Sequence, residues 1–298
     1  MSRVYQNTYS PIVNSSLVGG RLTLESGVSI SSTDQTAKTT LYYTPHIHSS
    51  IGLYNTTTLV WVPYTFTERS LALGTLSSGF NYDVFIYSNA GTLTLAASVW
   101  TSNTARATAI SLQDGVYVKT SDKSYRYLGT FRTTTTTTTE DSEAKRFLYN
   151  CSNQVSRNSL GNFGYADDSV QQTFSFVSLN LWAPLNGGTA NKCEWVNGLT
   201  STVNMSCCVF AVQGVSSSAY TGIGIDTTTG ADLFTACLGA ANVDAGKGFA
   251  RAFTLGYHYI SLNGFTTSAN ATTYYKDALR FGGAADVRIT IISAQQNM

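Results

Sequence analysis

Apolar positions along this chain recur at every second residue in short runs, and turn residues separate the runs. That is the pattern of half-buried β-strands. Leu22 and Leu24 alternate with Thr23 and Glu25. Residues 41–44 form a β-rich run closed by Pro45. Residues 59–66 are apolar and aromatic, and Pro63 within them predicts an edge or a break. Tyr82, Val84 and Ile86 share one face of a strand, while Asp83, Phe85 and Tyr87 share the other. Bulk on both faces predicts a central strand. Asn89-Ala90-Gly91, Asp114-Gly115 and Ser121-Asp122-Lys123 each predict a turn between strands.

Seven consecutive Thr, residues 133–139, read as a low-complexity linker, although β-branched Thr is also compatible with strand. A short helix is expected after them. Thr139 is placed to cap it, Glu140, Asp141 and Glu143 fill the first turn, and Lys145 and Arg146 follow. Beyond the polar stretch 157–168, strands are expected over 173–181, 203–212, 248–262 and 286–292. A phase change predicts a bulge near Val177. Residues 1–20 are polar, end in Gly19-Gly20 and read as an extended arm that docks on a neighbour, so that the rest folds without them. The expectation is an all-β chain: an N-terminal arm (1–20), a first β module (21–157) and a jelly-roll-like domain (158–298), both built as β-sandwiches.

Composition sharpens this picture. Only 12% of the 298 residues are charged, about half the usual ~25%. The exposed surface is therefore made of Thr, Ser, Asn, Gly and Tyr, which suits wide protein contacts or sugar contacts. Eighteen basic against 17 acidic residues leave a net charge of +1. Nucleic-acid binding needs a basic excess, so that partner is not expected. A net charge near zero favours association. No run approaches the ~18 apolar residues of a membrane helix, so membrane insertion is not expected. Residues 1–14 carry one basic residue and no apolar core segment, so no secretory leader is expected there. The five Cys include no CxxC pair. They read as buried thiols made in a reducing cytosol, rather than as a disulfide frame or zinc site.

The fragments GRLTLESGVSISSTDQTAKTTLYYTP (20–45), IGLYNTTTLVWVPYTF (51–66), NYDVFIYSNAGTLTL (81–95), TARATAISLQDGVYVK (104–119), RYLGTFRT (126–133) and EDSEAKRFLYN (140–150) follow one another through the first half. Together they resemble a β module of tailed-bacteriophage virion surface proteins, of tail-fibre or head-decoration type. The resemblance implies a virion exterior component, assembled in the host cytoplasm. It also implies a homotrimer that contacts other virion proteins and, in a tail appendage, a host-cell surface glycan. It brings no catalytic residues and no cofactor. The chain has no coiled-coil or repetitive shaft, which favours a compact decoration or appendage over a long fibre.

Candidate chemistry is sparse. His46 and His48 would share one face of a strand and are weak candidates for a metal, since two ligands do not close a site. Asp167 and Asp168 are adjacent and point apart, unlike the facing carboxylates of glycoside hydrolysis. Asp83, Asp114, Glu140 and Asp141 have no evident partner. His258, between two Tyr, reads as a core or interface histidine. No nucleophile-elbow, zincin, P-loop or dinucleotide signature is present, and a non-enzymatic protein is expected. Trp61, Trp100, Trp182, Trp195, Tyr274 and Tyr275 are the aromatics to watch for a sugar platform. Trp195, Tyr274 and Tyr275 are the chosen surface-contact candidates. A carbohydrate-binding module and a tailspike-type depolymerase stand as alternative readings.

Overall fold

Asn81–Asn89 shows why the chain folds as it does. Val84 and Ile86 point to one side and Phe85 to the other, and all three are buried. Such a strand needs cover on both faces and a partner on both edges, and it has strands on either side. The computed structural model describes residues 14–160, 172–176, 178, 180–184, 192–213, 218–238, 242–267, 272–276 and 291–298. Every regular element among the described residues is a β-strand.

The chain forms two units. The first contains residues up to Asp141, then Phe147–Val155 and Met298; the second contains Ser142–Arg146 and Ser156–Asn297. The strands of the first half are β1 (Gly20–Thr23), β2 (Gln35–Lys38), β3 (Thr40–Pro45), β4 (Ser50–Asn55), β5 (Val60–Thr65), β6 (Arg69–Ala72) and β7 (Asn81–Asn89). They continue with β8 (Thr92–Val99), β9 (Ile110–Gln113), β10 (Val116–Lys119), β11 (Asp122–Arg132), β12 (Thr139–Asp141), β13 (Lys145–Arg146) and β14 (Leu148–Asn150). Of these, β13 belongs to the second unit.

In the first unit, β1, β3 and β6 form one antiparallel sheet and β4 pairs with β5. Opposite them runs the sheet β8-β7-β11-β10-β9, with β14 also on β11. Leu22, Leu41, Tyr43, Ile51 and Leu53 from the first set meet Tyr82, Val84, Ile86, Leu95, Leu128 and Phe131 from the second in one core. The turns follow the sequence. Ala90 and Gly91 have φ of 48° and 88°, and Asp114 and Gly115 have φ of 50° and 82°. Two successive positive-φ residues match the twist of a two-residue hairpin. Pro63 lies opposite Gly52 on β5, whose other edge has no strand among the described residues. It therefore costs no ladder bond.

Three expectations are corrected here. The Thr run is a closed turn: Thr133 and Thr139 form a β-bridge, and the Thr134 N–H donates to the Thr138 carbonyl at 2.8 Å. No helix follows. The Thr139 hydroxyl donates to the Arg132 carbonyl at 2.6 Å, β12 pairs with β2, and β14 pairs with β11. Phe147, Leu148 and Tyr149 are all buried, so this segment is covered on both faces, and that cover outweighs the local helix-start signal. The last third of the supposed arm is built into the first unit. Gly19 N–H donates to Ser50, and Gly52 N–H donates to Leu17. The buried Arg126 Nη1 donates to the carbonyls of Ser15, Leu17 and Gly52 at 3.1, 2.9 and 2.9 Å. Residues 1–13 lie outside the described residues.

The second unit adds β15 (Ser156–Leu160), β16 (Gln172–Phe176), β17 (Ala183–Pro184), β18 (Lys192–Asn197), β19 (Ser201–Gln213) and β20 (Ser218–Ile225). It ends with β21 (Leu233–Leu238), β22 (Asn242–Phe253), β23 (Gly256–Thr266), β24 (Thr272–Lys276) and β25 (Ile291–Asn297). One sheet runs β13-β18-β23-β20-β21, with β17 on β23. The other runs β15-β25-β19-β24-β16, with β22 on β19. Trp195 of β18 meets Phe253 of β22 edge-on, centroids 5.0 Å apart, which ties the two sheets together. The strand expected over 173–181 ends at Phe176, and Asn180 takes a left-handed φ of 53°. Val177 lies outside the described residues.

Candidate functional site

The first unit holds a largely buried charged cluster. Asp83, on β7, accepts from Arg106 Nε at 2.7 Å and from the Thr130 hydroxyl at 2.7 Å. Arg106 also reaches the Tyr127 hydroxyl at 3.1 Å and lies over the rings of Trp100 and Tyr127. Burial pushes the Asp83 carboxyl above the usual carboxylate range, although Arg106 and Thr130 pull it back. Every member is engaged by another, so the cluster fixes β7 to β11 and offers no group to a ligand.

A pocket of about 310 Å³ opens elsewhere in the same unit. The end of β4 gives Leu53, Tyr54 and Asn55, the following loop gives Thr56 and Thr57, and β5 gives Tyr64. Ser88 comes from β7, Ala90 and Gly91 from the hairpin turn, and Ser124 from β11. Leu53 belongs to the core and Tyr64 packs against it, so the pocket sits on the core, while most of its exposed lining is polar. Asn55 is fixed by its own loop: its Oδ1 accepts from the Thr57 and Thr58 N–H groups, both at 2.9 Å. That Asx-type turn sets the rim. Tyr54 is braced edge-on by Trp61, centroids 5.5 Å apart, and Trp61 Nε1 donates to Asp114 at 2.9 Å. No charged side chain lines the pocket.

The second unit carries an aromatic cluster. Trp182 meets Phe265 edge-on at 4.8 Å and Phe234 at 5.9 Å. Tyr220 stacks on Phe265 at 4.4 Å, nearly parallel. Phe234 is 51% exposed, and Leu181, next to Trp182, is 71% exposed. Adjacent strands β23, β20 and β21 supply Phe265, Tyr220 and Phe234. Tyr220 lies directly opposite Phe265, which is why their rings stack.

The candidates read from the sequence are dispersed. His46 and His48 sit in the bend after β3, not on a strand. His46 Nδ1 is 3.0 Å from the Ser29 hydroxyl, and His48 Nδ1 accepts from the Ser50 N–H at 3.2 Å. Among the described residues no group of three or more His, Cys, Asp or Glu is placed to hold a metal. Trp195 is corrected as a surface contact: it is 0% exposed and packed against Phe253 and His258. Trp61 and Trp100 are buried too, while Trp182 is half-buried. Tyr274 and Tyr275 lie on β24 opposite Phe174 and Thr173, and their side chains fall outside the described residues. So do Asp167 and Asp168.

His258 has Asp226 Oδ2 2.8 Å from Nδ1 and the Thr254 carbonyl 3.1 Å from Nε2. Both ring nitrogens are engaged, which fixes the ring between Asp226 and Thr254. The pocket residues, and Phe234 and Phe265 around Trp182 and Tyr220, were missed in the sequence. Asn55 followed by three Thr was the readable sign of a turn, but nothing local marks which loops converge.

No protein-family model matches the chain, and no curated protein is similar to it. Among solved structures it is similar to the insecticidal delta-endotoxin Cry8Ea1 of Bacillus thuringiensis at 9% identity and a TM-score of 0.24, covering 94% of this chain and 52% of that one. It is also similar to dimeric latent PorU of Porphyromonas gingivalis at 7% identity and a TM-score of 0.20, covering 86% and 18%. The chain thus spans about half the length of the first and less than a fifth of the second. Likenesses of this size carry no argument about fold or function.

Proposed function

We propose that the chain is a non-catalytic structural protein of a tailed-phage exterior. It assembles with itself as a trimer and serves as a tail appendage for host attachment or as a capsid decoration. The phage-like fragments across 20–150 support the setting. The weakly charged surface supports permanent contacts, because few charges need desolvating when two such surfaces meet. The observation that carries the assembly half is the cluster Trp182, Tyr220, Phe234 and Phe265 with Leu181. Aromatic side chains grouped at a surface are what buried interface centres are made of. A second copy of this chain, equally poor in charge, is the partner that fits it. The ionisable groups of the described region support a structural role as well. Asp83, Asp114, Glu68 and His258 are each spent on fixing a strand or a turn.

Immunogold electron microscopy of intact particles, with an antibody against residues 160–298, tests the setting. Label is expected on heads or at tail tips, and its place decides between decoration and attachment. Unlabelled particles, with the protein recovered only from the soluble lysate, would overturn the proposal.

A further inference from the structure

We infer that the pocket between the 55–59 loop and the Ala90–Gly91 turn is a binding site for a neutral saccharide, whose C–H face lies on Tyr64 and whose hydroxyls meet the rim. The lining chemistry selects this class. No cation lines the pocket, so phosphates, carboxylates and acidic sugars lack the charge-assisted partner they need. A wholly apolar ligand is disfavoured too, because it would leave the hydroxyls of Thr56, Thr57 and Ser88 unpaired. What remains is a ring with one apolar face and a neutral, hydrogen-bonding edge.

The site is also preorganised. Asn55 Oδ1 is held by two backbone N–H groups of its own loop, which fixes the carboxamide and leaves its Nδ2 as a donor already oriented. The Ser124 hydroxyl donates to Asp122 Oδ1 at 2.7 Å and so presents its oxygen as an acceptor. The Ala90–Gly91 hairpin is locked by φ of 48° and 88°. A rim fixed before binding loses little conformational freedom on binding. Its volume falls at the small end of ligand pockets, which suits one or two sugar rings. This inference does not rest on the particle setting: the pocket lies in the first unit and the proposed assembly face in the second.

Saturation-transfer NMR and titration calorimetry on the full chain test it. The probes are glucose, galactose, mannose, N-acetylglucosamine and their β-linked dimers, with glucuronate and inorganic phosphate as anionic controls. At least one neutral probe is expected to bind in the millimolar range. Tyr64→Ala should weaken that binding about tenfold or more, the loss of one good contact. Tyr64 also packs on the core, so Ser88→Leu, which fills the pocket, is run beside it, each variant with its thermal melt. Phe234→Ser is expected to bind as the wild type does. Any of three results would overturn the inference: no neutral probe binding at about 20 mM, well above ordinary millimolar affinity; binding undiminished in a folded Ser88→Leu protein; or the anionic controls binding in preference.

Discussion

Arg106 Nε lies 2.7 Å from Asp83 Oδ2, with the two side chains 9% and 1% exposed. The pair is desolvated, and it is tolerated because Thr130, Tyr127 and the Trp100 ring complete its surroundings. Removing one partner strands the other. Arg106→Ala is expected to cost about 3–5 kcal/mol, the penalty of an uncompensated buried charge. The double change Asp83→Leu, Arg106→Ala should cost clearly less than Asp83→Leu and Arg106→Ala added together. Urea denaturation of the three variants measures this. Additive losses would show that the two groups are not coupled.

Residues 15–20 are structural rather than a detachable arm. Deleting residues 1–20 removes two of the three carbonyls that Arg126 Nη1 reaches and the strand residue Gly20. The truncated chain is expected to lose at least about 2 kcal/mol, since a buried charged donor keeps one of its three acceptors, the Gly52 carbonyl. A circular-dichroism melt unchanged from the full chain would refute a structural role for residues 15–20.

Glu68 accepts from the Ser26 hydroxyl, the Gly27 N–H and the Thr44 hydroxyl, each at 2.6 Å. Burial alone would raise its carboxyl, but these three donors outweigh it and hold it below the ordinary value. A depressed acid contributes stability above its unfolded pKa and loses it as pH falls through the folded one. Relative to Glu68→Gln, the wild type should be more stable at neutral pH by about 1 kcal/mol or less, given the group's exposure. That margin should begin to shrink as pH falls to the ordinary glutamate value of about 4.3 and vanish only below the depressed folded one. A margin that grows with acid would mean the sign is wrong.

Burial pushes the Cys151 thiol up to about 11 and raises Cys193 further. At neutral pH both are thiols, and the thiolate is the reactive form. Iodoacetamide labelling of these two sites in the native protein should run more than about 100-fold slower than in urea, where an ordinary pKa of about 8.5 returns. Peptide mass spectrometry resolves each site, and fast native labelling of Cys193 would contradict its burial.

Much of the first unit was legible because its signals are local. Ala90-Gly91 and Asp114-Gly115 mark hairpins by backbone chemistry alone, and the two-faced bulk of Tyr82–Ile86 marks a central strand. Elsewhere a local signal lost to tertiary structure. Residues 139–148 carry a cap, acids and then bases in helical order, yet the closing Thr turn and the cover over Phe147–Tyr149 hold them as strands. Trp195 could have been placed correctly. Lys192 and Glu194 alternate with Cys193 and Trp195, and that period puts the indole on the inner face. The pocket and the aromatic cluster were not legible, because each draws on strands far apart in sequence whose juxtaposition only the sheet order fixes.

The assembly claim rests on the face around Phe234, and light scattering after size exclusion tests it most directly. The wild-type chain is expected to elute with about three times the mass of one chain, and Phe234→Ser with Leu181→Ser to shift toward the monomer with its melt intact, because both side chains are exposed. A wild-type monomer at tens of micromolar, or an oligomer that the paired substitution leaves unchanged, would contradict the account.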